Sequence, residues 1–294
     1  MILVTGGTGF IGQTLTRHLV SIGKQVRILI RPSRKSPKLP VGIPVEVAVC
    51  SIDDERGLVA AMKGIDTIFH LIGTERLSTR ADLSGVDIEG TKMIVHAARQ
   101  ANVKRIFYLS HLGADRSSAF ALFKAKAIAE NHIIHSGIEY TIFRTGPIFG
   151  PNDQFTVPLV KFLKLLPGIF LMPGDGNTLI QPLFIEDLIV CLSLSIDLRE
   201  TKNQLYSIGG AEYLKYQQVV ELIMAAKNIN KKIIPFPSQY LRIASVIFEQ
   251  FIPRFPISIF WLDYLISNRT TTLDVLPKVF GLIPSRFANH LDYL

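Results

Sequence analysis

Cysteine is scarce in this chain: of 294 residues, Cys50 and Cys191 are the two, far apart and without partner spacing. That excludes a disulfide framework and a cysteine-built metal centre, and predicts two buried thiols in a reducing compartment. Long apolar runs are also missing. The chain is 48% hydrophobic with a mean hydropathy of +0.31, yet no stretch reaches about 18 uninterrupted apolar residues, so no transmembrane helix is expected. Its greasiest windows are broken by Lys161 and Lys164, or by Arg254 and Asp263. Internal repeats, low-complexity tracts, a helix-turn-helix and a basic recognition helix are absent as well. Nucleic acid is therefore not an expected partner, although the net charge is +8. The first apolar run begins at Ile2, which leaves no room for a leader in this numbering; the expectation is a protein that works where it is made, in the cytoplasm, or one whose import sequence has already been removed.

What is present begins at once, with MILVTGGTGFIG over residues 1–12. Ile2, Leu3 and Val4 form a β-prone run. Glycines follow at Gly6, Gly7, Gly9 and Gly12, and Leu15, Leu19 and Ile22 then recur at helical spacing. A strand, a glycine turn and a helix in that order form a dinucleotide fingerprint. Gly6 permits the tight turn, Gly9 lets the backbone approach a pyrophosphate, and Gly12 lets helix and strand pack closely. Thr8, Phe10 and Ile11 complete the loop, whose helix N-terminus faces the phosphates.

Strands and helices alternate through residue 144. Strands are expected at 25–30, 44–49, 67–72, 105–110 and 139–144, with helices at 53–62, 84–101 and 117–136. This predicts a doubly wound parallel α/β sheet of Rossmann type, with a ligand crevice at the strands' carboxyl ends. A domain over 1–150, with returns from about 178–210, is expected to bind the nucleotide. A smaller, mainly helical lobe over 151–294 would serve a substrate or partner, with helices at 216–227, within 238–268 and at 285–293. The residue after the second strand is Arg31, about 20 residues past the glycine turn, where arginine accommodates a ribose 2′-phosphate. Ser33, Arg34 and Lys35 are near enough to help. NADP(H) is therefore expected over NAD(H).

TGGTGFIG in this context resembles the short-chain dehydrogenase/reductase superfamily, in its extended and atypical branches. FHLIG at 69–73, VDIEGTKMIVHAARQANVKRIFYLSHLGA at 86–114, FKAKAIAE at 123–130, YTIFRTGPIFGPND at 140–153, QPLFIEDL at 181–188 and YSIGG at 206–210 agree with it. The wording is most similar to the nucleotide-binding accessory subunit of respiratory complex I and its bacterial relatives, with NmrA-type proteins nearby. The resemblance covers about the first 210 residues well and the remainder loosely.

The resemblance implies a set of cofactor contacts: the glycine loop, Ser51 after the third strand, Leu71, Ile72 and Gly73 after the fourth, and Pro147 and Ile148 after the sixth. Catalysing members use a Tyr-x-x-x-Lys pair, in which the lysine binds the nicotinamide ribose and the tyrosine moves the substrate proton. Helical register favours Lys124 as that lysine, with Lys126 as the alternative. Four residues before Lys124 stands Phe120, which has no proton to give. Ser110 and His111 occupy the family's serine region, Leu112 follows, and Asp87 replaces a supporting asparagine. Tyr108, His70 and His111 are candidates for a substitute acid.

The resulting expectation is an atypical family member that binds NADP(H) with little or no dehydrogenase activity. It would act as a subunit, assembly factor or redox-responsive part of a larger complex, at most peripheral on the cytoplasmic face of a membrane. Ile243, Ile247, Phe248, Phe251, Phe255, Ile259, Phe260, Trp261 and Leu265 offer apolar surface for such a partner. An active reductase, epimerase or dehydratase on a carbonyl or sugar nucleotide, and an NmrA-like nucleotide sensor, are the alternatives.

Overall fold

The computed structural model describes residues 1–33, 39–74, 81–252 and 258–294. It divides into two units. The first comprises residues 1–74, 82–144 and 188–206; the second holds the rest.

In the first unit, the strands are β1 (Ile2–Thr5), β2 (Val26–Ile30), β3 (Glu46–Val49), β4 (Thr67–His70), β5 (Arg105–His111), β6 (Glu139–Thr145) and β7 (Gln204–Ile208). They form one sheet in the order β7-β6-β5-β4-β1-β2-β3. β1 runs parallel to β2 and β4, β2 to β3, and β4 to β5. This is the doubly wound Rossmann arrangement, with the order reversing beside β1. The central strands are apolar throughout because both faces are covered. Leu3, Val4, Ile28, Ile68, Phe69, Ile106 and Phe107 are buried.

Its helices include α1 (Phe10–Ser21), α2 (Glu55–Ala61), α3 (Gly90–Gln100) and α4 (Ala121–Ile134). Asp54 caps α2 by accepting from the Gly57 N–H. The helix expected over 84–101 is composite. Ser84–Glu89 is π-helical and passes into α3 at Gly90. Such π turns recur at functional sites, and this one carries the buried Asp87.

Opposite the ligand end of the sheet, buried Arg105 donates to Thr141 and Thr201 at 2.7 Å each. Its guanidinium also lies 4.6 Å from the Phe107 ring centroid.

The second unit is built from short pieces. Ile169–Pro173 runs parallel to Lys232–Phe236, and Leu183–Phe184 to Ile148–Phe149. An aromatic cluster of Phe149, Phe155, Phe184 and Phe287 fills its core. Buried Asp153 organises one loop, accepting from the backbone of Gly150, Phe155 and Thr156 and from the hydroxyls of Thr156 and Tyr293.

The expected helix over 285–293 shrinks to a 3-10 turn, Phe287–His290. Asp187 accepts from the Ser285 N–H and Glu212 from the Phe287 N–H, which fixes where the turn begins. Among the described residues, no helix is long and apolar enough to cross a membrane.

Candidate functional site

The glycine turn sits between β1 and α1, at the carboxyl end of the sheet's central strand. Gly6 has φ +74°, and a Cβ there would lie 2.8 Å from the Leu71 carbonyl group. Only glycine satisfies both constraints. A Cβ on Gly12 would come within 2.3 Å of the Gly6 oxygen, so α1 can approach the turn only without one. Gly9 differs: it is the exposed N-cap of α1 with φ −80°, which any residue can adopt. Its Cβ would meet only the Gly6 oxygen, at 3.3 Å. Glycine at position 9 therefore keeps the outer surface of the turn clear.

α1 has no side-chain cap and no acidic residue in its first turn. Its first N–H groups and the positive end of its dipole are thus left for an anion. Thr8 and Phe10 are half-buried beside Gly9, and Ile11 is buried. The cradle fits a pyrophosphate.

Arg31 and Ser33 are exposed just beyond β2. Arg34, Lys35 and Lys38, which would enlarge the basic cluster, lie outside the described residues. Ser51 follows β3, half-buried, and its hydroxyl bonds Asp53, holding that carboxyl below its usual range. Leu71, Ile72 and Gly73 continue β4 past its end, all half-buried, with Leu71 N–H bonded to Thr5 O at 3.2 Å. Pro147 and Ile148 belong to the second unit, where Ile148 pairs with Leu183.

On α4 the register expectation is corrected. Lys124 is exposed. The buried lysine is Lys126, whose Nζ lies 3.0 Å from Asp87 Oδ1, with side chains 6% and 0% exposed. A Cβ on Gly73 would sit 2.7 Å from that Nζ, so the amine occupies the space that a side chain at position 73 would need. The other Asp87 oxygen accepts from the Thr74 N–H at 3.0 Å. Lys126 also stands 5.2 Å from the Tyr108 ring centroid.

Burial by itself opposes both charges. Lys126 outweighs it at Asp87, whose pKa lies below the usual carboxylate value. The Tyr108 phenol and Asp87 likewise outweigh it at Lys126, whose pKa is raised. Breaking such a buried pair costs about 3–5 kcal/mol. A hydrogen bond to a charged group returns about 1.5–3 kcal/mol.

His70 is fully committed. Thr91 Oγ1 spends its proton on the Asp87 carbonyl at 2.6 Å, so His70 Nε2 must donate to it, at 3.0 Å. His70 Nδ1 then accepts from Thr5 Oγ1 at 2.8 Å. Burial first, and then the Lys126 charge, push the His70 pKa down to about 3. The ring is neutral and fixed, which removes it as an acid. Tyr108 is 1% exposed, with a pKa raised by burial, and stacks on His70. Ser110 is buried at the end of β5, and desolvation lowers the His111 pKa too. No group of three residues able to hold a metal occurs among the described residues.

The sequence profile of a family described as "NAD(P)H-binding" matches residues 6–157, spanning this entire constellation from the glycine turn past α4. The chain belongs to that family.

Its relatives place it among the atypical short-chain dehydrogenases/reductases. "NADH dehydrogenase [ubiquinone] 1 alpha subcomplex subunit 9, mitochondrial" of Arabidopsis thaliana is 27% identical over 226 residues, covering 75% of this chain and 56% of that protein. "Photosystem II assembly factor Ycf39" of Trieres chinensis is 26% identical over 251 residues, covering 85% and 76%. "3-beta-hydroxysteroid dehydrogenase" of Mycolicibacterium neoaurum is 36% identical over 217 residues, covering 64% and 58%. The chain thus spans little more than half of the first and third.

Among solved structures, an NADPH-dependent quinone oxidoreductase of Escherichia coli superposes with a TM-score of 0.78 at 18% identity. That match covers 100% of this chain and 99% of that one, and at such identity it shows the fold.

Family membership sharpens one contrast. The helix lysine that the site buries is Lys126, and four residues before it stands Leu122, itself buried. Sequence reasoning weighed Lys126 second and did not foresee its pairing with Asp87. The available signal was Asp87 itself, an acid standing where the family resemblance implies an asparagine.

Proposed function

We propose that this chain holds a dinucleotide without using it as a dehydrogenase, that NADP(H) is the preferred nucleotide, and that the protein works as a subunit or assembly factor of a larger complex. The observation that carries the reading is the missing proton donor on α4. Counting back four residues reaches Phe120 from Lys124 and Leu122 from Lys126. Positioned proton transfer contributes typically about 10²–10⁴ in rate. Of the candidate substitutes, His70 has both nitrogens engaged, and Tyr108 is sealed in the core.

Gly6, Thr8, Gly9, Phe10, Ile11 and Gly12 would hold the pyrophosphate, Arg31 a 2′-phosphate, Ser51 the adenosine, and Leu71 to Gly73 the nicotinamide half. The bound group supplies hydride chemistry in related enzymes; here these residues bind and orient it.

The complex-bound setting rests on two supports. Relatives carry the names of a respiratory complex subunit and a photosystem assembly factor. In the second unit, helix Ser238–Phe251 buries Leu241 and Ser245 but leaves Tyr240, Ile243, Ile247, Phe248 and Phe251 exposed. These recur at helical spacing, as a face awaiting a partner does.

The second reading, an active reductase, draws on the steroid dehydrogenase relative. Thermal unfolding with NADPH and with NADH tests the shared premise. At 100 times Kd a ligand adds about 2.7 kcal/mol of stability. Absence of a shift with either nucleotide contradicts the proposal.

A further inference from the structure

The geometry points to Asp87 as a positioning residue that withholds Lys126 from a bound dinucleotide, so that affinity resides in the adenylate and pyrophosphate half. This rests on the dinucleotide reading above and adds a claim about how the affinity is divided.

Lys126 is not a free ammonium at the crevice. Its Nζ is 3.0 Å from Asp87 Oδ1, and both side chains are withdrawn from solvent. The amine occupies the space that a side chain at Gly73 would need, since a methyl group there would sit 2.7 Å from Nζ. The Tyr108 ring approaches the same amine at 5.2 Å. Asp87 is equally fixed, because its other oxygen holds the Thr74 N–H and its own carbonyl accepts from Thr91. Carboxylate, backbone and ring thus surround the ammonium.

A ribose hydroxyl is a neutral acceptor. It replaces a carboxylate poorly in a site with little water, where the attraction between opposite charges is strongest. A nucleotide lying along the carboxyl ends of β1 and β4 therefore meets the Gly73 backbone, with the lysine closed beneath it. The adenylate half faces the opposite situation. The α1 N-terminus is uncapped and Arg31 is exposed.

The test compares NADPH with 2′-phosphoadenosine 5′-diphosphate, which keeps the adenosine, the 2′-phosphate and both phosphates of the pyrophosphate and lacks the nicotinamide riboside. Dissociation constants are measured by calorimetry on wild type, Asp87→Asn and the double variant Asp87→Asn/Lys126→Met. The double variant removes both charges together and keeps the comparison interpretable if the single variant fails to fold.

The expected result is that NADPH binds wild type within about threefold of the half-molecule, and that the double variant keeps that ratio. Asp87→Asn, where folded, should tighten NADPH about tenfold and leave the half-molecule unchanged, as a released ammonium gains a ribose hydrogen bond. An NADPH preference above about tenfold in wild type that the double variant abolishes would show Lys126 already holding the ribose, and would overturn the inference. Should neither nucleotide bind wild type, the dinucleotide reading itself fails, and this inference with it.

Discussion

The Asp87 carboxylate and the Lys126 ammonium meet at 3.0 Å with almost no exposure, one delivered by the π-helical turn before α3 and the other by α4. The pair ties these helices together beneath the backbone that leaves β4. Removing one partner leaves the other charge buried, which costs about 3–5 kcal/mol. Asp87→Asn and Lys126→Met should each lose stability on that scale in urea denaturation. The double variant should recover much of it, and strictly additive losses would deny the coupling.

The glycine turn separates folding from binding. Gly12→Ala forces a Cβ to 2.3 Å from the Gly6 oxygen, a backbone clash with no flexible partner. It should cost about 1–3 kcal/mol, as overpacking does, and abolish nucleotide-induced stabilisation. Gly9→Ala meets only one atom, at 3.3 Å, with an ordinary φ. It should change stability by a few tenths of a kcal/mol, since other residues serve at an N-cap. It should nonetheless weaken NADPH binding by about tenfold or more, by obstructing the phosphate.

His70 makes the fold sensitive to acid. Its pKa falls from 6.5 to about 3 on folding. Between those values the unfolded chain binds a proton that the native chain refuses, so stability drops as the pH falls. The slope reaches about 1.36 kcal/mol per pH unit for this one group. The contribution is intact above 6.5 and lost progressively towards 3. Urea midpoints of wild type between pH 7 and 4, set against His70→Asn, measure it as a shallower slope in the variant.

Arg31 stands exposed after β2, where the nucleotide ribose lies in doubly wound folds. Arg31→Asp replaces a phosphate partner with a hydroxyl partner. The ratio of NADPH to NADH affinity should fall at least about tenfold. An unchanged ratio would place the discrimination elsewhere.

The exposed stripe on helix Ser238–Phe251 should be dispensable for folding. Ile243 is 57% and Phe251 76% exposed. Ile243→Glu with Phe251→Glu should shift stability within about 0.5 kcal/mol per site and reduce binding of an apolar dye. Marked destabilisation would make the stripe a part of the core.

The parallel sheet was legible in the sequence because its signals are local: a glycine turn after Ile2 to Val4, then apolar runs separated by helical periodicity. The break at Ser84–Glu89 was not, because a π turn keeps nearly helical spacing. The Lys126 register escaped for a related reason. Lys124 and Lys126 are two apart on one helix, and only packing decides which faces the core. The closing segment is tied at Ser285 and Phe287 to Asp187 and Glu212, 98 and 75 residues away, contacts that local periodicity does not encode. The apolar C-terminal list divided in a way composition cannot show: Leu265 is buried, while Ile243, Ile247, Phe248 and Phe251 are exposed.

The most direct test of the central claim is the absorbance of reduced nicotinamide in the purified protein saturated with NADPH, followed for hours with a panel of ketones, aldehydes, quinones and sugar nucleotides. The structure predicts that the nucleotide remains bound and reduced, because neither Leu122 nor Phe120 can donate a proton and His70 is locked. Multiple turnovers with any of these acceptors would contradict it.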